Sequence, residues 1–136
     1  MNTVRWIEGM TMMGESASGH GVVMDGPEAL GGKNLGIRPM EMLLLGMGGC
    51  TTVDVVSTLK KMRQEVVDCQ VEISSWRAEE HPKIFTKIHL HFILKGNNLD
   101  DKKIAKAISL SADKYCSASI MLGKSAKISS DFSTCE

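Results

Sequence analysis

Arg38-Pro39-Met40-Glu41-Met42-Leu43-Leu44-Leu45-Gly46-Met47-Gly48-Gly49-Cys50 is the stretch on which the fold turns. Pro39 suits a first helical position, where its missing N–H would be unpaired in any case. The pattern then predicts a helix running on through Thr51, Thr52, Val53 and Asp54 to about Gln64. Its first half is apolar all round, so it must be buried on every side. One sheet covers one face only, and a small chain covers the rest most simply with a second copy of itself. Gly46, Gly48 and Gly49 permit close backbone approach. Each costs roughly 1 kcal/mol against alanine in a helix, so packing or function must compensate. The second half sets Val55, Val56, Leu59 and Met62 against Lys60, Lys61 and Arg63, an ordinary amphipathic pattern.

Before the helix, Thr3 to Met13 reads as a strand, Gly14 to Gly19 as a turn and His20 to Asp25 as a second strand, so a hairpin is expected. Asp25-Gly26-Pro27 and Gly31-Gly32-Lys33-Asn34 punctuate a loop to about Ile37. Beyond the helix, Val67, Cys69, Val71 and Ile73 alternate with Asp68, Gln70, Glu72 and Ser74. A second alternating run sets Ile84, Thr86, Ile88, Leu90, Phe92 and Leu94 against Phe85, Lys87, His89 and His91. Asp100 and Asp101 favour a helix start, because negative charge complements the helix N-terminus. That helix carries Ile104, Ala107, Ile108, Ala112 and Tyr115 on one stripe and ends near Cys116. A short apolar helix from Ser117 to Leu122 and a last strand through Ala126, Ile128 and Phe132 complete the chain. Hairpins alternating with helices predict an α+β fold with largely antiparallel sheets around buried central helices, in one domain over residues 1–136.

The composition fits such a domain. The chain has 136 residues, close to the usual size of one domain. Sixteen Lys and Arg balance sixteen Asp and Glu. That balance argues against a nucleic-acid or polybasic membrane partner, which needs a basic excess. Ten methionines against six aromatics make Met a principal space-filler of the core. The longest charge-free run, Met42 to Val53, is shorter than the ~20 residues of a spanning helix, and no apolar leader core opens the sequence. A cytoplasmic location, with thiols kept reduced, is the expectation.

The four cysteines stand at 50, 69, 116 and 135, without zinc-finger spacing. A single cysteine most often packs as a small hydrophobe. Cys69 fits that reading, on the apolar face of a regular strand. Cys135 lies next to the C-terminus and is expected to fray. Cys50 follows three glycines in four positions, which make room beside it, and Cys116 sits at a helix junction.

The stretch from Arg38 to Cys50 resembles the helix start and first cysteine of the OsmC/Ohr superfamily, bacterial proteins that reduce hydroperoxides. Lys114-Tyr115-Cys116-Ser117 occupies the place of that family's second cysteine. Trp6-Ile7-Glu8-Gly9, Gly14 to His20 and Met24-Asp25-Gly26 resemble its YhfA-like branch in particular. The resemblance implies an intertwined homodimer with two sites at the interface, the N-terminal hairpin 1–37 packing in that dimer. It implies organic hydroperoxide as substrate, with Cys50 attacking as thiolate to give a sulfenic acid and Cys116 closing a disulfide. It also implies an external dithiol reductant and no bound cofactor or metal.

In the family, an arginine of the N-terminal hairpin supports the thiolate, held by a glutamate ten residues before the first cysteine. Here that position is Met40, and Glu41 stands one step, about 100°, round the helix. The hairpin from Gly14 to Asp25 has no arginine, and its one basic candidate is His20. Arg5 and Arg38 are the available substitutes, with Glu41 as partner. His89 and His91, two apart on a strand, lack a third ligand and read as solvent-facing polar residues. The missing arginine, beside a Met- and Gly-rich helix, leaves a second reading open. In it the same dimer binds a small apolar ligand or senses redox state without catalysis.

Overall fold

The computed structural model describes every residue from Met1 to Glu136. The chain divides into two compact units, Met1–Leu45 and Gly46–Glu136.

The N-terminal unit is a three-stranded antiparallel meander: β1 (Thr3–Glu8), β2 (Thr11–Glu15) and β3 (Gly21–Asp25). The single strand expected from Thr3 to Met13 is broken in two. Gly9 takes the left-handed conformation (φ 58°), and the Trp6 indole N–H donates to its carbonyl at 2.8 Å, which closes a turn. Gly14 and Glu15 belong to β2, so the following turn begins only at Ser16.

Past β3, the loop to Ile37 is organised by a residue that its pattern does not flag. Asp25 is fully buried, and its carboxylate accepts N–H bonds from Gly26 (2.8 Å), Lys33 (3.0 Å) and Leu35 (3.1 Å). The Leu35 bond leads in holding its pKa below the usual value. Lys33, Gly26 and the Arg38 charge act the same way, against burial.

Helix α1 (Pro39–Lys61) begins at Pro39 as expected. Glu41 reaches back to the Arg38 N–H at 2.8 Å, the reciprocal half of a capping box. The helix stops short of Gln64 because Arg63 turns left-handed (φ 61°). Its buried residues are Met47, Gly48, Thr51, Val55 and Leu59, a single stripe. The expected all-round burial does not occur within one chain: Leu45 is 61% and Val53 69% exposed. By length and composition α1 would pass for a membrane-crossing helix, a test that the core helix of a soluble protein also passes.

The C-terminal unit holds a second sheet in the order β4 (Glu65–Arg77), β5 (Phe85–Asn97), β6 (Lys127–Cys135). The expected, largely antiparallel pairing meets one exception here. β4 and β5 are antiparallel, but β6 runs parallel to β5 in continuous register from Lys87↔Lys127 to Lys95↔Cys135. A parallel neighbour needs a long crossover, usually helical. Helix α2 (Asp101–Leu110), a five-residue π-type turn at Ser111–Tyr115 and helix α3 (Ser117–Leu122) supply it. Asp100 caps α2 by accepting the Lys102 N–H.

Two bulges shift the strand faces away from strict alternation. Val66 pairs with Gly96 and Asp68 with Lys95, so Val67 is an extra residue and stands exposed. Trp76 pairs with Lys87 and Arg77 with Phe85, which turns Phe85 inward although its parity places it with the polar residues. The core is Met47, Val55 and Leu59 of α1 with Ile88, Leu90, Phe92 and Leu94 of β5 and Ile104, Ala107 and Ile108 of α2. Cys135 is not frayed: it ends β6, exposed, opposite Lys95. Cys69 is half-buried, and burial followed by the Asp68 charge pushes its thiol up.

The Asp25 cradle gives a signed pH dependence. A carboxyl with a lowered folded pKa stabilises fully above its unfolded value of about 3.9 and loses that contribution as pH falls through the folded value. Asp25→Asn is expected to melt lower at pH 7 and to lose less stability than wild type between pH 5 and 2. Parallel melting-temperature curves for the two proteins across that range would refute the assignment.

Candidate active site

Cys50 lies in the middle of α1, and Asp54 follows it one turn later. Cys116 stands between the π-type turn and α3, in extended backbone (φ −78°, ψ 102°). Its N–H bonds to the Ser111 carbonyl at 2.8 Å, which closes the wide turn. The crossover thus returns Cys116 to α1. The two sulfurs and a carboxylate oxygen of Asp54 all lie within 4.8 Å of one another. All four cysteines are free thiols.

A polar thread inside the core fixes this meeting. Ser111 Oγ donates to Asp54 Oδ2 at 3.0 Å. Its one proton is thereby used, so the 2.8 Å contact with Thr51 must be donated by Thr51 Oγ1. Thr51 and Ser111 are both buried. The chain Thr51→Ser111→Asp54 therefore ties one turn of α1 to the start of the π-type turn. Ile73 sits over Gly48, where an added Cβ would come within 2.8 Å of its Cδ1.

The two thiols differ in environment. Cys50 is half-buried, whereas Cys116 has 0% exposure. Burial pushes the Cys116 thiol up, and the adjacent Cys50 thiol adds to the shift. The Ser119 N–H, donated to Cys116 Sγ at 3.3 Å, opposes it. The hydroxyl of Ser119 is buried without a hydrogen-bond partner. Asp54 forms no ion pair, and Ser111 is the one side chain bonded to its carboxylate.

Of the residues expected at the site, the fold brings Cys50 and Cys116 together. The four supporting candidates belong to the N-terminal unit. Arg38 Nη1 is engaged by Asn34 Oδ1 (3.2 Å) and the Gly36 carbonyl (3.1 Å), while Glu41 caps α1. Arg5 is exposed on β1 and His20 is exposed at the start of the β3 arm. Asp54, Ser111 and Thr51 are the site residues that the sequence reading missed. The one available signal was the four-residue step from Cys50 to Asp54 on a helix.

Cys50, Asp54 and Cys116 also have ligand atoms close enough to converge on one cation, and two sulfurs would favour a soft ion such as zinc. His89 Nε2 and His91 Nδ1 instead both turn on Asp131 Oδ1, at 2.9 and 2.7 Å. The bonds from His91 and then His89 hold the Asp131 carboxyl below its usual value.

The sequence model of the family described as OsmC-like protein matches residues 31–131. The chain belongs to the OsmC-like family. It is 51% identical over 129 residues to Protein YhfA of Escherichia coli K12, covering 95% of this chain and 93% of that protein. That identity places this OsmC-like chain in the YhfA-like branch. A hypothetical protein from Aquifex aeolicus superposes with a TM-score of 0.84 at 30% identity, over 100% of this chain and 97% of that one. An organic hydroperoxide resistance protein from Legionella pneumophila superposes with a TM-score of 0.73, over 98% and 96%. At 14% identity the last likeness concerns the fold alone.

The polar thread makes a paired prediction. Ser111→Ala strands the Thr51 hydroxyl in the core and should cost roughly 1–3 kcal/mol. Adding Thr51→Val removes the stranded group and should recover much of that loss. Urea denaturation of both variants checks this, and a double mutant no more stable than Ser111→Ala would contradict it.

Proposed function

We propose that this protein reduces organic hydroperoxides with the Cys50/Cys116 pair, as a protection against oxidative stress. The observation that carries the reading is the meeting of two free thiols from separate elements within 4.8 Å. The Legionella relative, described as an organic hydroperoxide resistance protein, supports it.

The burial difference supports a division of roles. Cys50, the more open thiol, attacks the O–O bond as thiolate. One oxygen stays on sulfur as the sulfenic acid, and the other leaves as alkoxide, which is protonated to the alcohol. Cys116 then displaces the sulfenic hydroxyl, forming a disulfide and water. The sulfurs must close to about 2.05 Å, a local movement of side chains and the Cys116 turn. An external dithiol returns both thiols by exchange, and no bound cofactor is needed.

The positive charge for the Cys50 thiolate we assign to Arg38 or Arg5, with Glu41 as partner and His20 as an additional basic group. In support, Arg38 pairs with amide and carbonyl oxygens and forms no ion pair. The active form is an intertwined homodimer of one 1–136 domain, with residues 1–37 packed into the partner. Its support is the exposed apolar surface of each copy: Leu43, Leu45 and Val53 on α1, and Val4, Trp6 and Ile7 on β1. The protein works in the cytoplasm, without membrane or nucleic-acid partners.

Reduced protein, freed of metal by a chelator, should consume cumene hydroperoxide and gain a Cys50–Cys116 disulfide by peptide mass mapping. Cys50→Ser should abolish consumption, and Cys116→Ser should leave Cys50 as sulfenic or over-oxidised acid. Absence of both disulfide and peroxide loss in wild type would end the proposal. A disulfide formed without sustained turnover would favour a redox sensor instead.

The dimer is tested separately by light scattering. Wild type should show twice the 14.8 kDa chain mass. Leu45→Glu should shift it toward the single-chain mass, and a wild type that runs at the single-chain mass would rule the dimer out.

A further inference from the structure

We propose that Asp54 relays the Cys116 thiol proton to the departing sulfenic hydroxide of Cys50 in the disulfide-forming step, so that the resolving reaction carries its own base. This rests on the peroxidase reading above and adds a residue to it.

A carboxylate oxygen of Asp54 lies within 4.8 Å of both Cys50 Sγ and Cys116 Sγ, the two atoms that must bond. One turn of α1 separates Asp54 from Cys50, so backbone geometry fixes that pair. On its other side the carboxylate is held by the Thr51→Ser111 thread through Oδ2 alone. Oδ1 has no hydrogen-bond partner, and no lysine or arginine neutralises the group. A half-buried carboxylate with one oxygen anchored and one free, beside two thiols, is placed as a base.

The chemistry needs such a group. Cys116 is fully buried and burial raises its thiol pKa, so it arrives protonated. An S–H is a poor nucleophile. Asp54 takes the Cys116 proton. The Cys116 sulfur attacks the Cys50 sulfur, and the Cys50 S–O bond breaks with its electron pair on oxygen. The departing hydroxide takes the proton back from Asp54 and leaves as water. Sulfenic acid plus thiol gives disulfide plus water, and Asp54 ends as it began. The oxidant has acted already, since the hydroperoxide made the sulfenic acid.

The test isolates this step. Reduced protein is mixed with one equivalent of cumene hydroperoxide. Cys50 sulfenic acid is trapped with dimedone, and the disulfide is followed by quenched mass mapping from pH 6 to 9. Wild type should form the disulfide at a nearly pH-independent rate. Asp54→Asn should form sulfenic acid normally but close the disulfide roughly 100-fold more slowly at pH 7, within the usual range for general-base catalysis. Its rate should climb about tenfold per pH unit as free thiolate replaces the missing base. Asp54→Glu should restore part of the rate and the flat profile.

Disulfide closure in Asp54→Asn at wild-type rate and with a wild-type profile would overturn the relay. If that variant does not fold, the wild-type profile decides alone: a tenfold rise per pH unit refutes it, and a flat profile supports it. Failure of the underlying reading is distinct, because wild type would then yield neither sulfenic acid nor disulfide.

Discussion

The Thr51→Ser111→Asp54 hydrogen-bond chain is the joint on which the site depends. Everything else at the site follows from where it lands. It pins the first residue of the π-type turn to α1, and the Ser111 carbonyl then holds the Cys116 N–H five residues on. An ordinary helical turn at this point would carry Cys116 round to a different face. The wide turn spends one extra residue and ends in extended backbone, which aims the thiol back at Cys50. The sheet makes the return unavoidable: β6 must lie parallel to β5, so the chain has to cross over, and the crossover passes α1.

Much of this was legible from side-chain pattern, and the failures have definite causes. Pro39 marked the helix start because proline costs nothing there, and Asp100 marked the next one. Alternation found β4 and β5 but not the direction of β6, because period-2 burial is the same for parallel and antiparallel neighbours. Nor does periodicity see a bulge. Val67 is exposed although it shares the apolar parity, Phe85 is buried although it shares the polar one, and the extra residue at each bulge leaves no compositional trace. Gly9 split β1 from β2 by its backbone conformation, which neighbouring sequence could not specify.

At the site, the cysteines were legible and their polar partners were not. A cysteine after three glycines is conspicuous. Asp54 reads as one polar position among several on an amphipathic helix, and Ser111 as a small residue on another. Their link joins residues 57 apart and exists only once α2 has packed. Asp25 is a parallel case in the other unit. It looks like a turn residue beside Gly26 and Pro27, yet it is buried and gathers three backbone N–H groups. Asp25 stays inside because backbone donors satisfy both its oxygens, whereas Asp54 is half-buried and takes one hydroxyl donor on Oδ2.

Helix geometry also explains why the chemistry sits where it does along α1. At about 100° per residue, the buried stripe of Met47, Thr51, Val55 and Leu59 fills one side of the helix. Gly46, Gly49 and Val53 fall on the opposite side, where the two glycines have open space beside them. Cys50 and Asp54 project from the flank between the two. A residue deeper in the stripe would be unreachable, as Cys116 is, and one on the opposite side would have no protein dipoles around it. The flank gives Cys50 a packed wall on one side and access on the other. In the proposed dimer, a second copy laid on the glycine side would close that access to a cleft. Water would then be scarce near the sulfenic acid, and an internal carboxylate would become the nearest base for its resolution.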